Sequence, residues 1–245
     1  MNTNDLIYGI HAVQAALDGD TDVLEIWIEE KRKDKRVEPV IQLAKQHQVE
    51  IKRVSHQYLN DTLPDARHQG VVARLKGISV KTESELSHLL DNLNKPAFLL
   101  LLDGVTDPHN LGACIRTAEA AGVDALVVPK DKSCGMTATV RKVASGAAEV
   151  LPFIQVTNLS RCLKSLQDRG IWIIGTDLAT QTNLYQQDLT GPIAIVMGAE
   201  AKGLRRLTKE NCDSLVKLPM NGTVESLNVS VATGVVLFEA LRQRL

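Results

Sequence analysis

From Pro96 onward the chain alternates short apolar runs (AFLLLLD, DALVVP, LPFIQV, IWIIGT, IAIVMG and LVKLP) with helical stretches such as NLGACIRTAEAAG, TATVRKVASGAAE and NLSRCLKSLQDRG. Runs that are apolar at nearly every position, not at every second one, belong to strands buried on both faces. Joined through helices, they require a mostly parallel sheet with helices covering it. A last helix is predicted over 228–243. The final two runs bear on function as well. Ile193 to Met197 opens into GAEAKGL, and Leu215 to Leu218 opens into PMNGTVESLN. Open α/β sheets take their ligands in the crevice outside such strand ends. Glu200, Lys202, Asn221, Ser226 and Asn228 crowd there.

Two phosphate-binding readings fail. Gly198 and Gly203 have the spacing of the outer glycines of a P-loop, but Leu204 and Arg205 stand where the lysine and the hydroxyl residue belong. No G-x-G-x-x-G follows a strand elsewhere, which removes the ordinary dinucleotide fingerprint. A cofactor in this crevice is therefore held largely by backbone.

The first 76 residues read as a separate α/β unit, within the size range of an independent domain. Asp5 is expected to cap a helix that carries Ile7, Ile10, Val13, Ala16 and Leu17 and ends at Gly19. Leu24, Ile26 and Ile28 alternate with Glu25, Trp27 and Glu29, the period of a half-buried strand. A basic turn, KRKDKR (31–36), leads to a helix with Val40, Ile41, Leu43 and Ala44, then to strands over 49–54 and around 71–73. Residues 77–81 read as a linker, and Thr82 with Glu85 forms a capping box that starts a connecting helix. The expected division is 1–76, a 77–95 linker and helix, and 96–245.

A net charge of −1 gives no global pull toward a polyanion, so an RNA partner has to be held by local basic patches. The four cysteines form no C-x-x-C pair and the six histidines show no ligand spacing, so no metal is expected and the thiols read as buried and reduced. There is no signal-like start and no run near the roughly 18 apolar residues a membrane span needs, so the cytoplasm is the default.

In DGVTDPHNLGACIRTAEAAG, Asp107-Pro108 makes a turn, Asn110 stands where a helix begins, and Gly122 where it ends. Arg116 falls about a turn and a half into that helix, a position from which arginines commonly point into solvent. Asn110, Gly112 and Arg116 nonetheless sit at a second strand mouth, complementary to Glu200, Ser226 and Asn228.

Together, NLGACIRTAEAAG, VMGAEAKGL and LPMNGTVESLNVSVATGVVLFE resemble the three motifs of the SpoU branch of the SPOUT methyltransferases. YGIHAVQAAL and HQGVVA resemble the auxiliary domain of that branch's bacterial 23S rRNA guanosine-2′-O-methyltransferases, so the resemblance spans essentially the whole chain. It implies a C-terminal trefoil-knotted sheet whose two last loops are threaded through one another and clasp S-adenosylmethionine. It also implies a small ribosomal-protein-like α/β domain that holds structured RNA. On this chain the implied cofactor contacts are Gly198, Leu218 and Leu227, with Thr176, Glu200 and Met220 nearby. Arg116 takes the place of the catalytic arginine, with Asn110, Glu200, Ser226 and Asn228 ordering ribose and cofactor. A guanidinium is effectively never deprotonated, so Arg116 is expected to stabilise a nascent alkoxide or grip a phosphate, not to act as a base. Glycine at 198 is expected to leave space that the ligand must approach.

The family also works as a homodimer with shared active sites. The last helix offers Val229, Val231, Ala232, Val235, Val236, Phe238 and Leu241 as an apolar face wide enough for core and partner. Candidate RNA contacts are Lys31, Arg32, Lys33, Lys35, Arg36, Arg67 and Arg74. With only 3% aromatic residues, base stacking is not the main recognition device. The implied activity is ribose 2′-O-methylation of a guanosine in the peptidyl-transferase loop of 23S rRNA, free or in a pre-ribosomal particle. A tRNA ribose methyltransferase, or an rRNA-methylating antibiotic-resistance enzyme of the same superfamily, carries the same motifs and stays open.

Overall fold

The computed structural model describes residues 5–18, 22–32, 35–64, 66–76, 80–200 and 202–245. The chain divides into two compact units, 1–78 and 79–245.

The first unit contains β1 (Leu6–Tyr8), α1 (Ile10–Asp18), β2 (Val23–Glu29), α2 (Glu38–Gln46), β3 (Glu50–Val54), α3 (His56–Thr62) and β4 (Val71–Leu75). Its sheet runs β1-β4-β2-β3, with β2 and β3 parallel and the other pairs antiparallel. Two expectations are corrected here. The helix does not begin near Asp5: Leu6–Tyr8 pairs with Val72–Arg74, and Gly9, at φ 91°, turns the chain into a helix that starts at Ile10. Ile7 and Ile10 suit a helical period, but glycine between them permits the left-handed turn that periodicity cannot register. Nor is β2 half-buried. It lies between β4 and β3, and Glu25, Ile26, Trp27 and Ile28 are all buried. Glu25 is tolerated because Lys52 and Arg74 flank it, the latter through Nε at 2.5 Å. Burial acts to raise the Glu25 carboxyl, but these two cations outweigh it and hold the group below its ordinary pKa.

The second unit begins with Lys81 bridged to Ile154, followed by α4 (Glu83–Asp91). The Thr82–Glu85 capping box is formed, with Glu85 Oε2 accepting the Thr82 amide at 2.8 Å. Then come β5 (Phe98–Asp103), α5 (Pro108–Ala120), β6 (Ala125–Pro129), α6 (Ala138–Ala144), α7 (Ala147–Val150), β7 (Phe153–Val156), α8 (Leu159–Gln167) and β8 (Trp172–Thr176). The chain ends with β9 (Ile193–Gly198), α9 (Arg206–Glu210), β10 (Ser214–Val216) and α10 (Val229–Arg244). All six strands are parallel, in the order β10-β8-β9-β5-β6-β7. Leu99, Leu101, Val127, Ile154, Ile173 and Val196 point to one face, where Leu86 of α4 and Leu159, Leu163 and Leu166 of α8 cover them. Helix α4 is thus part of this unit's core and not a connector. Helix α10 packs against β9 and α5.

Two boundaries and one helix face differ from expectation. Asp107, not Asn110, caps α5, its carboxylate accepting the His109 amide at 2.9 Å. Strand β10 stops at Val216, which leaves Lys217 and Leu218 to the loop. Along α10, Val231 and Phe238 are 52% and 48% exposed, while Thr233 and Glu239 are buried. Apolar residues occupy nearly the whole circumference of α10, so spacing alone does not identify the face that packs.

Candidate active site

The carboxyl ends of β8, β9 and β10, adjacent in the sheet, open into a cavity of about 290 Å³. Its apolar wall includes Met197, Val216, Leu218, Met220, Leu227 and Val229. One side is the loop that follows β9. Gly203, at φ 60°, returns its amide to the Ala199 carbonyl at 2.8 Å. Gly198 sits beneath this return. A Cβ there would stand 2.6 Å from the Gly203 carbonyl oxygen and closer still to the Gly203 carbonyl carbon and the Leu204 nitrogen. The expected reason for glycine at 198 is therefore corrected: backbone of the same loop, not ligand, fills the place of a side chain.

Asp103, buried at the end of β5, lies beside Gly198 in register. Its carboxylate accepts the Arg205 amide at 2.9 Å and the Arg205 guanidinium at 2.5 Å through Nε and Nη2. One residue thereby fixes both ends of the loop.

Glu200 gathers the motifs. Its Oε1 accepts from Asn110 Nδ2 at 3.2 Å, from the Val229 amide at 3.3 Å, and from Asn228 Nδ2. Asn228 Nδ2 also donates to Asn110 Oδ1 at 3.0 Å, and its Oδ1 caps α10 through the Ser230 amide at 3.0 Å. Across the cavity, Asp177 takes the Lys209 ammonium at 2.6 Å and the Ala179 amide at 3.1 Å. Burial acts to raise Asp177, yet Lys209 and that amide prevail and hold it below its usual pKa.

Of the expected residues, Thr176, Gly198, Glu200, Leu218, Met220, Ser226 and Leu227 line the cavity. Asn110 and Asn228 reach it through Glu200. Arg116 does not line it. It lies on the exposed side of α5, six residues past Asn110 and so about 120° around the helix. No motif points to Asp177, Lys209 or Lys217, which also line the cavity. The available signal for Asp177 was its place directly after the apolar run IWIIGT.

Of the expected RNA contacts, Lys31, Lys35, Arg36 and Arg67 are exposed, Arg32 lies over Gly70, and Lys33 falls outside the described residues. Arg74 is engaged with Glu25. Among the described residues no group of three or more His, Cys, Asp or Glu is arranged to hold a metal, and no helix is long and apolar enough to cross a membrane.

A profile of the SpoU rRNA Methylase family matches residues 97–238, and one for RNA 2′-O ribose methyltransferase substrate binding matches 6–80. The 23S rRNA (guanosine-2′-O-)-methyltransferase RlmB of Shewanella oneidensis is 53% identical over 245 residues, covering 100% of this chain and 99% of that protein. Its Escherichia coli counterpart is 52% identical over 242 residues, covering 98% and 99%. Among solved structures, the SpoU methyltransferase AviRb from Streptomyces viridochromogenes, in complex with AdoMet, superposes with TM-score 0.68 at 24% identity, covering 98% of this chain and 90% of that one. The A. aeolicus TrmH/SpoU tRNA modifying enzyme gives 0.56 at 31% identity, covering 66% and 82%.

Proposed function

The chain belongs to the SpoU rRNA methylase family, and on that footing we propose that it methylates the ribose 2′-hydroxyl of a guanosine in 23S rRNA, in the cytoplasm, with S-adenosylmethionine as methyl donor. One observation carries the reading: Asn110, Glu200 and Asn228, from three separate motifs, close a hydrogen-bonded cluster at the rim of a cavity built by the loops after β8, β9 and β10. Full-length identity above one half to enzymes named for this reaction supports the substrate.

The cavity suits the cofactor. Leu218, Leu227, Met197 and Val216 give an adenine ring apolar faces, the Gly198–Leu204 loop presents backbone, and Asp177 with Lys209 offers one charge of each sign to a ribose or an amino-acid zwitterion. When bound, S-adenosylmethionine supplies an electrophilic methyl group on sulfur. The chain's own work is alignment and charge control. Among the described residues, the contacts of Glu200 with Asn110, Asn228 and the Val229 amide all fall on Oε1, which leaves Oε2 to accept from a ribose hydroxyl at the rim. Arg116 holds a permanent positive charge for an adjacent phosphate or a developing alkoxide.

Because Arg116 lies away from the cavity of its own chain, the reading includes a homodimer in which Arg116 of the partner subunit serves the cavity. Exposed Val231 and Phe238 on α10, which packs beside α5, support such a pairing. Mapping ribose methylation across rRNA and tRNA from cells with and without the gene tests the substrate. The expected result is loss of one guanosine methylation in 23S rRNA. Loss confined to a tRNA would refute it.

A further inference from the structure

We infer that one end of the first unit's sheet is an RNA phosphate-backbone contact surface, presented by Lys31, Arg53, His56 and Arg67, and that Arg74 is not part of it. The inference rests on the reading that this unit holds the RNA substrate.

Parallel strands β2 and β3 finish side by side, with Glu29 opposite Val54, where antiparallel β4 begins, with Ile28 opposite Val71. Three chain segments meet at this edge and are braced against one another. Arg53 donates Nη1 to the carbonyl of Arg32 at 3.1 Å and approaches that of Glu29 at 3.4 Å, which fixes the turn after β2. His68, buried, accepts the Gly70 amide on Nδ1 at 2.9 Å, so its proton sits on Nε2, facing Asn60 Oδ1 at 2.9 Å. Burial, with His56 and Arg32 nearby, pushes the His68 pKa down, against the pull of Glu29, and so favours this neutral form.

Gln69 and Gly70 both take left-handed backbone, at φ 51° and 64°, and the Val71 amide closes the turn on the His68 carbonyl at 3.0 Å. Gly70 has no room for a side chain: a Cβ would stand 2.8 Å from Glu29 Oε2 and 3.1 Å from Arg32 Cδ. Glu29 Oε2 in turn meets His56 Nδ1 at 3.2 Å.

On this frame Lys31, Arg53, His56 and Arg67 are exposed, the His56 side chain by 60%. Two carboxylates share this end among the described residues: Glu29, 22% exposed and engaged by His56, and Glu30, exposed directly before Lys31. Donors held by a rigid turn lose little freedom on binding, and phosphate contacts add in a salt-dependent way. Arg74 differs in kind: it stands opposite Leu6 and Glu25 within the sheet, and Glu25 takes up its charge.

The test is equilibrium binding of the full chain to a 23S rRNA transcript between 50 and 200 mM salt. Lys31→Gln with Arg67→Gln together should weaken binding at least tenfold at the low-salt end. Each should reduce the slope of log affinity against log salt by about 0.7–0.9. His56→Ala should weaken binding about threefold, as expected for one lost hydrogen bond, and Arg74→Gln should stay within twofold of wild type. A Lys31/Arg67 double variant that binds as tightly as wild type, or an Arg74→Gln loss as large as the double variant's, overturns the surface. Methylation of the same transcript by the wild-type chain separates the two readings: binding and methylation with no effect of the variants sinks the surface alone, whereas no binding and no methylation sinks both.

Discussion

Gly198→Ala is the sharpest local perturbation of the cavity. The added methyl would lie 2.6 Å from the Gly203 oxygen and nearer to two other backbone atoms, so no side-chain rotation relieves it. Reaching ordinary carbon contact distance requires the returning backbone to retreat by roughly 1 Å. That retreat stretches the Gly203–Ala199 hydrogen bond, at 2.8 Å, and the Arg205–Asp103 amide bond, at 2.9 Å. One weakened neutral bond and one weakened charge-assisted bond, on top of overpacking, cost about 2–4 kcal/mol. For a unit of this size the melting temperature should fall by about 5–15 °C. The displaced loop lines the cavity, so cofactor affinity measured by calorimetry should drop at least about thirtyfold, the equivalent of ~2 kcal/mol. Gly222→Ala is the internal control, since Gly222 lies in the facing loop with nothing within 4 Å of a new Cβ. It should melt within about 2 °C of wild type and bind the cofactor within twofold. A Gly198→Ala protein that melts and binds like wild type, or an equally damaged Gly222→Ala, would show that close approach of the loop to itself is not what shapes the site.

Asp103→Asn keeps an acceptor for the Arg205 amide but removes the charge. With Arg205 partly exposed, it should cost about 1–2 kcal/mol and weaken cofactor binding about tenfold by calorimetry, and unchanged binding would remove Asp103 from the loop's support. Burial pushes the Cys114 thiol up to about 11, and those of Cys162 and Cys212 to about 12, all above the ordinary value of 9.0. Folded thiols therefore keep protons that unfolded ones release, so their contribution is full below pH ~9 and is lost as pH rises toward 12. In urea melts, Cys162→Ser should make the decline above pH 9 shallower by about 1.4 kcal/mol per pH unit, and an unaltered decline contradicts the burial argument. Mixing Gly198→Ala and Arg116→Ala subunits, at a cofactor concentration too low to load the Gly198→Ala cavity, should restore roughly a quarter of wild-type turnover under random pairing. No recovery on mixing places Arg116 with its own cavity.

Strand identity in the second unit was legible because each run is apolar throughout, and both faces of β5, β6 and β9 are indeed buried. The strand order was not, since β9 entering between β8 and β5 depends on three-dimensional connection and not on composition. The polar cluster was legible as residue types at strand mouths, but not as bonds: Asn110 and Glu200 are 90 positions apart, and no spacing rule pairs them. The sequence marks Gly198 as special but not why, because a glycine needed by its own loop and one needed by a ligand look identical in sequence. Charge misled in the first unit. Arg74 reads like Arg67 in the chain, but Glu25, buried on the neighbouring strand, takes up its charge.

Amide hydrogen exchange with and without S-adenosylmethionine tests the cofactor site most directly. Slowed exchange is predicted over 176–178, 198–204 and 217–229, the segments that enclose the cavity. Protection confined to the groove between α4 and α8, about 360 Å³ and lined by Glu83, Arg161 and Arg169, with those three segments unchanged, would contradict it.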